Sequence, residues 1–268
     1  RPQFKLDYIA NTGVGVSVGS RYGAGLSGGV YGIFSDILGY NQIQAVLNVN
    51  GEIYDFGGQV AYINTSGRLS WGGSVSHIPY IYGFREYALE DFGNGPELSL
   101  NDYYIRQFES QIDAFVAYPF NRYSRFEVGA ALARYGYRVD KWRRSYYYGY
   151  GDRQKITNEE AARLNFGNLD PMLTEQISAA FVGDKSTFGM TAPLQGYKYR
   201  VGVGQVFGDL SFTNYTVDVR KYIRLKPFTL AARAYSYIRS GKDEDRLRGT
   251  YIGYPFFIRG FDNLNPAK

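Results

Sequence analysis

Apolar and polar residues alternate with a period of two along most of this chain. In residues 107–118 the even positions carry Phe108, Ile112, Ala114, Val116 and Tyr118, while Gln107, Glu109, Gln111 and Asp113 take odd ones. Residues 69–76 set Leu69, Trp71, Gly73 and Val75 against Ser70, Gly72, Ser74 and Ser76. Residues 213–220 set Tyr215, Val217 and Val219 against Asn214, Thr216, Asp218 and Arg220, and residues 228–235 oppose Phe228, Leu230, Ala232 and Ala234 to Thr229, Ala231, Arg233 and Tyr235. Successive side chains of a strand leave on opposite faces, so each segment predicts a strand with one apolar and one polar face. Several segments reach the roughly 9–11 residues of a tilted membrane-crossing strand, against the roughly 5–6 usual in soluble sheets.

About eleven such strands are predicted, and their links alternate in length. The links "SDILGYN", "NTSGR", "YPFNRYS" and "RLKP" are short. The fifth-to-sixth link is predicted over about residues 79–102 and the seventh-to-eighth over about 139–173; a further long segment follows Ser240. Two links on the long side, "SRYGAG" and "FGDLS", are short. Tight turns at one end and long loops at the other predict an all-β fold: an antiparallel transmembrane β-barrel with short periplasmic turns and long extracellular loops. In the second long loop, Thr157 precedes Glu160 by three residues, a capping-box pattern that predicts one short helix folded over the barrel mouth. No repeat of propeller or solenoid length is visible, which argues against those folds.

Composition supports the two-faced reading. The chain holds 27 Tyr, 18 Phe and 33 Gly at a mean hydropathy of −0.33. An apolar exterior with aromatic girdles and a polar interior cancel in such an average. No stretch approaches the roughly 20 apolar residues of a spanning helix. The net charge of +5 suits anionic headgroups or an acidic partner and is far from a nucleic-acid signature, so no nucleic-acid partner is expected. The opening "RPQFKLDYIA" lacks a start methionine, a basic leader and an apolar core, as expected of a mature or trimmed segment.

Candidate chemistry is sparse. Without cysteine there is no disulfide or thiolate chemistry, and the lone His77 argues against a histidine triad or a zinc site; it reads as a hydrogen bonder anchoring a loop. Gly23, Gly25 and Gly28 fit a G-x-G-x-x-G frame, but strand-like sequence follows, as for glycines on a twisted strand. The carboxylates Glu109, Asp113, Glu127 and Asp218 share polar positions with Arg125, Arg220 and Arg233, the pattern of paired charges lining a wet lumen. No nucleophile stands beside a base, so no enzyme chemistry, cofactor or metal is expected.

One stretch departs from strand chemistry. "YIGYPFFIRGFD", residues 251–262, surrounds a single arginine with aromatics and glycine. Its "FFIRGF" resembles the V-R-G-[FY] signature of the sixth extracellular loop in the BamA/TamA outer-membrane assembly family, the bacterial surface-antigen barrels. Ile258 takes the valine position, Arg259 the arginine, Gly260 the glycine and Phe261 the aromatic. "SAAFVGDKSTFGMTAPLQGYKYR", with Asp184, Pro193 and Gly196 in order, resembles the family's eighth-to-ninth strand connection, and "TNYTVDVRKYIRLKPFTLAARAYSY" its next two strands. The opening "KLDYI" and the later "FSDILG" resemble a subgroup in which a TolB-like propeller precedes the barrel.

The resemblance implies a sixteen-stranded outer-membrane barrel whose loop six folds into the lumen on its arginine, and a role in inserting or translocating other outer-membrane proteins. It implies outer-membrane lipid and other envelope proteins, as clients or complex subunits, for partners. It also implies a lateral gate at the first strand, here "TGVGVSVGS" with Val14, Val16 and Val18. The sequence departs from the family by ending at Lys268, before the last five strands and the aspartate that partners the arginine, and by showing no POTRA domains. The alternative is a non-catalytic pore, an anchor or a structural subunit of an outer-membrane complex.

Overall fold

The period-two alternation builds strands almost throughout the computed structural model, which describes residues 3–20, 23–51, 55–93, 95–164 and 169–246. The strands are β1 (Lys5–Ser20), β2 (Gly23–Ser35), β3 (Asn41–Gly51), β4 (Phe56–Asn64), β5 (Ser70–Asp91), β6 (Pro96–Pro119) and β7 (Ser124–Ser145). The short β8 (Gly151–Lys155) and helix α1 (Asn158–Arg163) follow, then β9 (Met172–Asp184), the two-residue β10 (Thr187–Phe188), β11 (Pro193–Gly208), β12 (Phe212–Leu225) and β13 (Phe228–Ser240). They form one antiparallel sheet whose main path is β1-β2-β3-β4-β5-β6-β7-β9-β11-β12-β13, with β8 on β7 and β10 on β11. The main path thus has the eleven strands expected. The sheet is not closed: β1 and β13 are its edges among the described residues.

The described residues fall into two compact units, one within residues 1–118 and 129–173, the other within 119–128 and 174–268. In the first, the register aligns Ala45, Val60, Val75 and Ile112 in one row across β3–β6, with Ile43, Tyr62, Gly73 and Ala114 in the next on the same face. Between these rows, on the opposite face, lie Gln44, Ala61, Ser74 and Asp113, then Val46, Gln59, Ser76 and Gln111. The apolar rows are uncovered: Val75 is 57% and Ile112 58% exposed, whereas Ser74 and Ser76 are buried. Aromatics mark both margins of this apolar face. Tyr62 meets Trp71 edge-to-face at 5.4 Å near the turns, and His77 stacks on Phe108 at 5.8 Å farther along.

The second unit repeats the arrangement. Phe181, Val201 and Val217 form one apolar row and Ala179, Val203, Tyr215 and Ile238 another. On the opposite face, the row Val182, Arg200, Asp218 and Tyr235 and its neighbour Asp184, Lys198, Arg220 and Arg233 carry the charge.

Several expectations change. Residues 79–102 are not a loop. The β5–β6 ladder continues without a break through Pro79↔Phe108 and Arg85↔Asp102 to Asp91↔Pro96. The proline misled because it removes a ladder donor, yet past His77 no strand pairs with the β4-side edge of β5 among the described residues, so no bond is lost there. Likewise β7 runs on past Val139 to Ser145, and β8 and α1 occupy part of the predicted 139–173 loop. β1 begins at Lys5, well before the "TGVGVSVGS" stretch. His77 lies within β5 rather than in a loop, its Nδ1 2.8 Å from Ser110 Oγ.

β5, β6 and β7 therefore project beyond their neighbours. On the projecting part, Tyr103, Val139, Ile156 and Ala161 form a buried cluster, with Ile105, Leu164 and Leu169 packed against it. The expected capping geometry is present: the Glu160 N–H donates to Thr157 Oγ1 at 3.3 Å, which fixes the start of α1. The helix lies against Tyr103 and Val139, on the side of β6 that bears the polar face lower down.

Candidate functional site

The six carboxylates and arginines expected to line a lumen all fall on the polar face of their unit. In the first unit, Asp113 accepts hydrogen bonds from Ser74 Oγ and Gln111 Nε2, and Glu109 accepts one from the Tyr80 hydroxyl. In the second, Glu127 is held by Arg125 at 2.7 Å and Arg200 at 2.6 Å. Asp218 is bracketed by Arg220 and Arg233, each at 2.7 Å and each through two guanidinium nitrogens. Each fork matches a carboxylate's two oxygens. With two guanidinium groups around each of Glu127 and Asp218, this stretch of sheet presents net positive charge rather than a free base.

A second charged assembly escaped the sequence reading; five of its eight residues, Arg85, Asp102, Asp140, Arg144 and Arg153, sit where loops were predicted. Arg106 is 6% exposed in its side chain and reaches two buried aspartates: Nε to Asp55 at 2.8 Å and Nη1 to Asp140 at 2.6 Å. Asp140 also receives Arg138 at 3.0 Å and Arg153 at 3.1 Å. Beside them, Asp102 takes both forks of Arg85, at 2.6 and 2.9 Å, and Arg144 at 2.6 Å. Five arginines thus hold three aspartates where the strands project. The charges at 102, 106, 138, 140 and 144 all fall on even positions, a usable signal once those residues are recognised as strand.

Two acids of this projecting part, Asp102 and Glu90, titrate low. Burial alone would raise Asp102, but hydrogen bonds and charge from Arg85 and Arg144 outweigh it and hold the carboxyl below its ordinary range. Burial likewise opposes, and Lys141, Asn101 and Arg143 overcome it, at Glu90. These groups remain anionic at neutral pH and work as structural counter-ions.

For the expected gate strand, only backbone pairing bears on the question. Val14 pairs with Gly28 and Val16 with Leu26, and the β1–β2 register shifts three times, between Leu6 and Tyr8, Asn11 and Val14, and Ser17 and Ser20. Val18 has no pair in this register. The loop-six motif Ile258, Arg259, Gly260 and Phe261 lies outside the described residues. Among the described residues no cluster of three or more His, Asp or Glu side chains is arranged to hold a metal, and no helix is long and apolar enough to cross a membrane. No protein-family model, curated protein or solved structure matches the chain.

Proposed function

We propose that this chain forms part of the wall of an outer-membrane β-barrel of the BamA/TamA type, and that the complete barrel inserts or translocates other outer-membrane proteins. The observation that carries the membrane reading is the two-faced sheet. In each unit an uncovered apolar face backs onto a face of glutamines, serines and paired charges. Soluble monomers rarely expose apolar patches beyond a few hundred Å², whereas a barrel wall in lipid needs that face over a band about 25 Å tall. The aromatic pairs at its margins fit the girdles of such a band.

The assembly role is supported by the loop-six motif and by the irregular pairing of β1. A strand whose register shifts three times gives up ladder bonds, and a lateral seam beside it opens at lower cost.

The cysteine-free chain makes the membrane test direct. Single cysteines at Val60, Val75, Ile112 and Val217 in the full-length protein in cells should react with a lipid-soluble maleimide and resist a membrane-impermeant one. Cysteines at Gln59, Ser76 and Thr216 should show the reverse. Equal aqueous labelling of both sets would overturn the membrane assignment. Depletion tests the role separately: many outer-membrane proteins should fall together. If a single cargo falls, the barrel is an anchor.

A further inference from the structure

An open recess of about 610 Å³ lies at the turn end of the second unit. Its lining includes three cations, Lys185, Lys221 and Arg224, together with Tyr123, Tyr197 and Gln195. Lys185 Nζ is 5.3 Å from the centre of the Tyr123 ring, and Lys221 Nζ is 5.7 Å from that of Tyr197. Among the described residues Arg224 donates one long hydrogen bond, 3.4 Å, to Thr229 Oγ1. Among the described residues no carboxylate pairs with any of the three. The acids of the same strands are already engaged: Asp184 by Ser186 and Lys198, Asp218 by Arg220 and Arg233. Elsewhere in this unit arginines converge on acids. Here three cations line a hollow.

Gly196 shapes the site. It has φ +109°, and a Cβ there would lie 2.0 Å from the Lys185 carbonyl oxygen, so only glycine lets the 185–187 segment approach β11 this closely. Lys221 shares the apolar face with Tyr197 and Ala232, and β12 ends soon after, at Leu225. On a barrel in lipid, that is the level of the headgroups, where lysine and tyrosine anchor.

We infer that the recess binds a phosphate-bearing anion: the headgroup of an anionic phospholipid or soluble phosphate. Cations lining a recess without a carboxylate partner suit an anion, and a phosphate's oxygens accept from lysine and arginine donors while the tyrosine rings keep the lysine stems in place. Only the lipid source rests on the membrane reading.

The test uses full-length protein extracted in mild detergent and compared with a Lys185→Gln, Lys221→Gln, Arg224→Gln triple variant. Retention of phosphatidylglycerol against phosphatidylcholine is read by native mass spectrometry, and inorganic phosphate is titrated calorimetrically. Phosphatidylglycerol retention should fall about fivefold per cation removed, with phosphatidylcholine unchanged. Phosphate binding lost in the variant, without selective lipid retention, would assign the soluble source. If the variant retains phosphatidylglycerol and binds phosphate as the parent does, the inference is overturned. An Arg224→Lys variant, which keeps the charge, should retain binding and so separates lost charge from lost folding. Lipid-face labelling at Val75 is read independently, so failure of the site does not count against the barrel.

Discussion

Arg106 joins two buried aspartates where the strands project. Both its aspartates are 1% exposed, so replacing it with methionine takes a buried guanidinium away from buried acid. Breaking a buried pair from one side typically costs about 3–5 kcal/mol. Asp140 keeps Arg138 and Arg153. Hydrogen exchange in residues 80–106 should accelerate in Arg106→Met, with exchange in β12 unchanged; uniform exchange across both would show that the network carries no local stability. The partners of Arg106 were not legible in the sequence, where residues 79–102 and 139–173 were predicted as loops. By contrast, Glu109, Asp113, Glu127, Asp218, Arg220 and Arg233 could be placed on a polar face from parity alone, because a strand has only two faces. What parity could not supply was the partner across the sheet: Arg200 reaches Glu127 from a strand far along the chain.

At the scale of elements, the projecting β5–β6–β7 segment is stapled by ion pairs and capped by α1. Its pH response follows from its acids. Asp102 and Glu90 both titrate below their unfolded values of about 4. A depressed carboxyl stabilises the folded form fully above its unfolded value, and that contribution disappears as pH falls through the folded one. Limited proteolysis of residues 84–103 should therefore be slow and constant above about pH 5 and rise below about pH 4. Constant resistance down to pH 2 would mean that these pairs do not secure the segment. The helix was legible because its capping pattern is local: Thr157 and Glu160 meet within one turn. Strand ends were not legible, since whether β5 stops at Pro79 or continues to Asp91 depends on what pairs with its edges.

For the whole molecule, the two faces of the sheet make opposite demands on substitution. Val75 and Ser76 are adjacent in sequence and opposite in direction. If the apolar face meets lipid, arginine at 75 should cost about 2–4 kcal/mol when it lies near the bilayer midplane. Arginine at 76, beside Gln59 and Gln111, should be tolerated more easily. The folded fraction recovered in membranes should drop for Val75→Arg and change little for Ser76→Arg; equal losses would speak for a sheet buried on both sides by protein. The sheet itself, eleven main strands in antiparallel order, could be read from alternation and turn spacing. Whether it closes is a matter of β1 and β13, and no pattern inside a strand reports on its distant neighbour.

Every strand of the main path pairs with the strand that precedes it in the path, and this has a kinetic consequence. A sheet so ordered can be laid down hairpin by hairpin, each step closing only a few residues of loop. The passage from β7 to β9 is the exception, because Ser145 and Met172 must be brought together across the longest described connection. Loop closure costs about 0.6 kcal/mol for each doubling of length, so this step carries the largest closure cost among the described connections. β8 pairs with β7 and α1 packs on Tyr103, and where these contacts form first they shorten the free chain that remains to be closed.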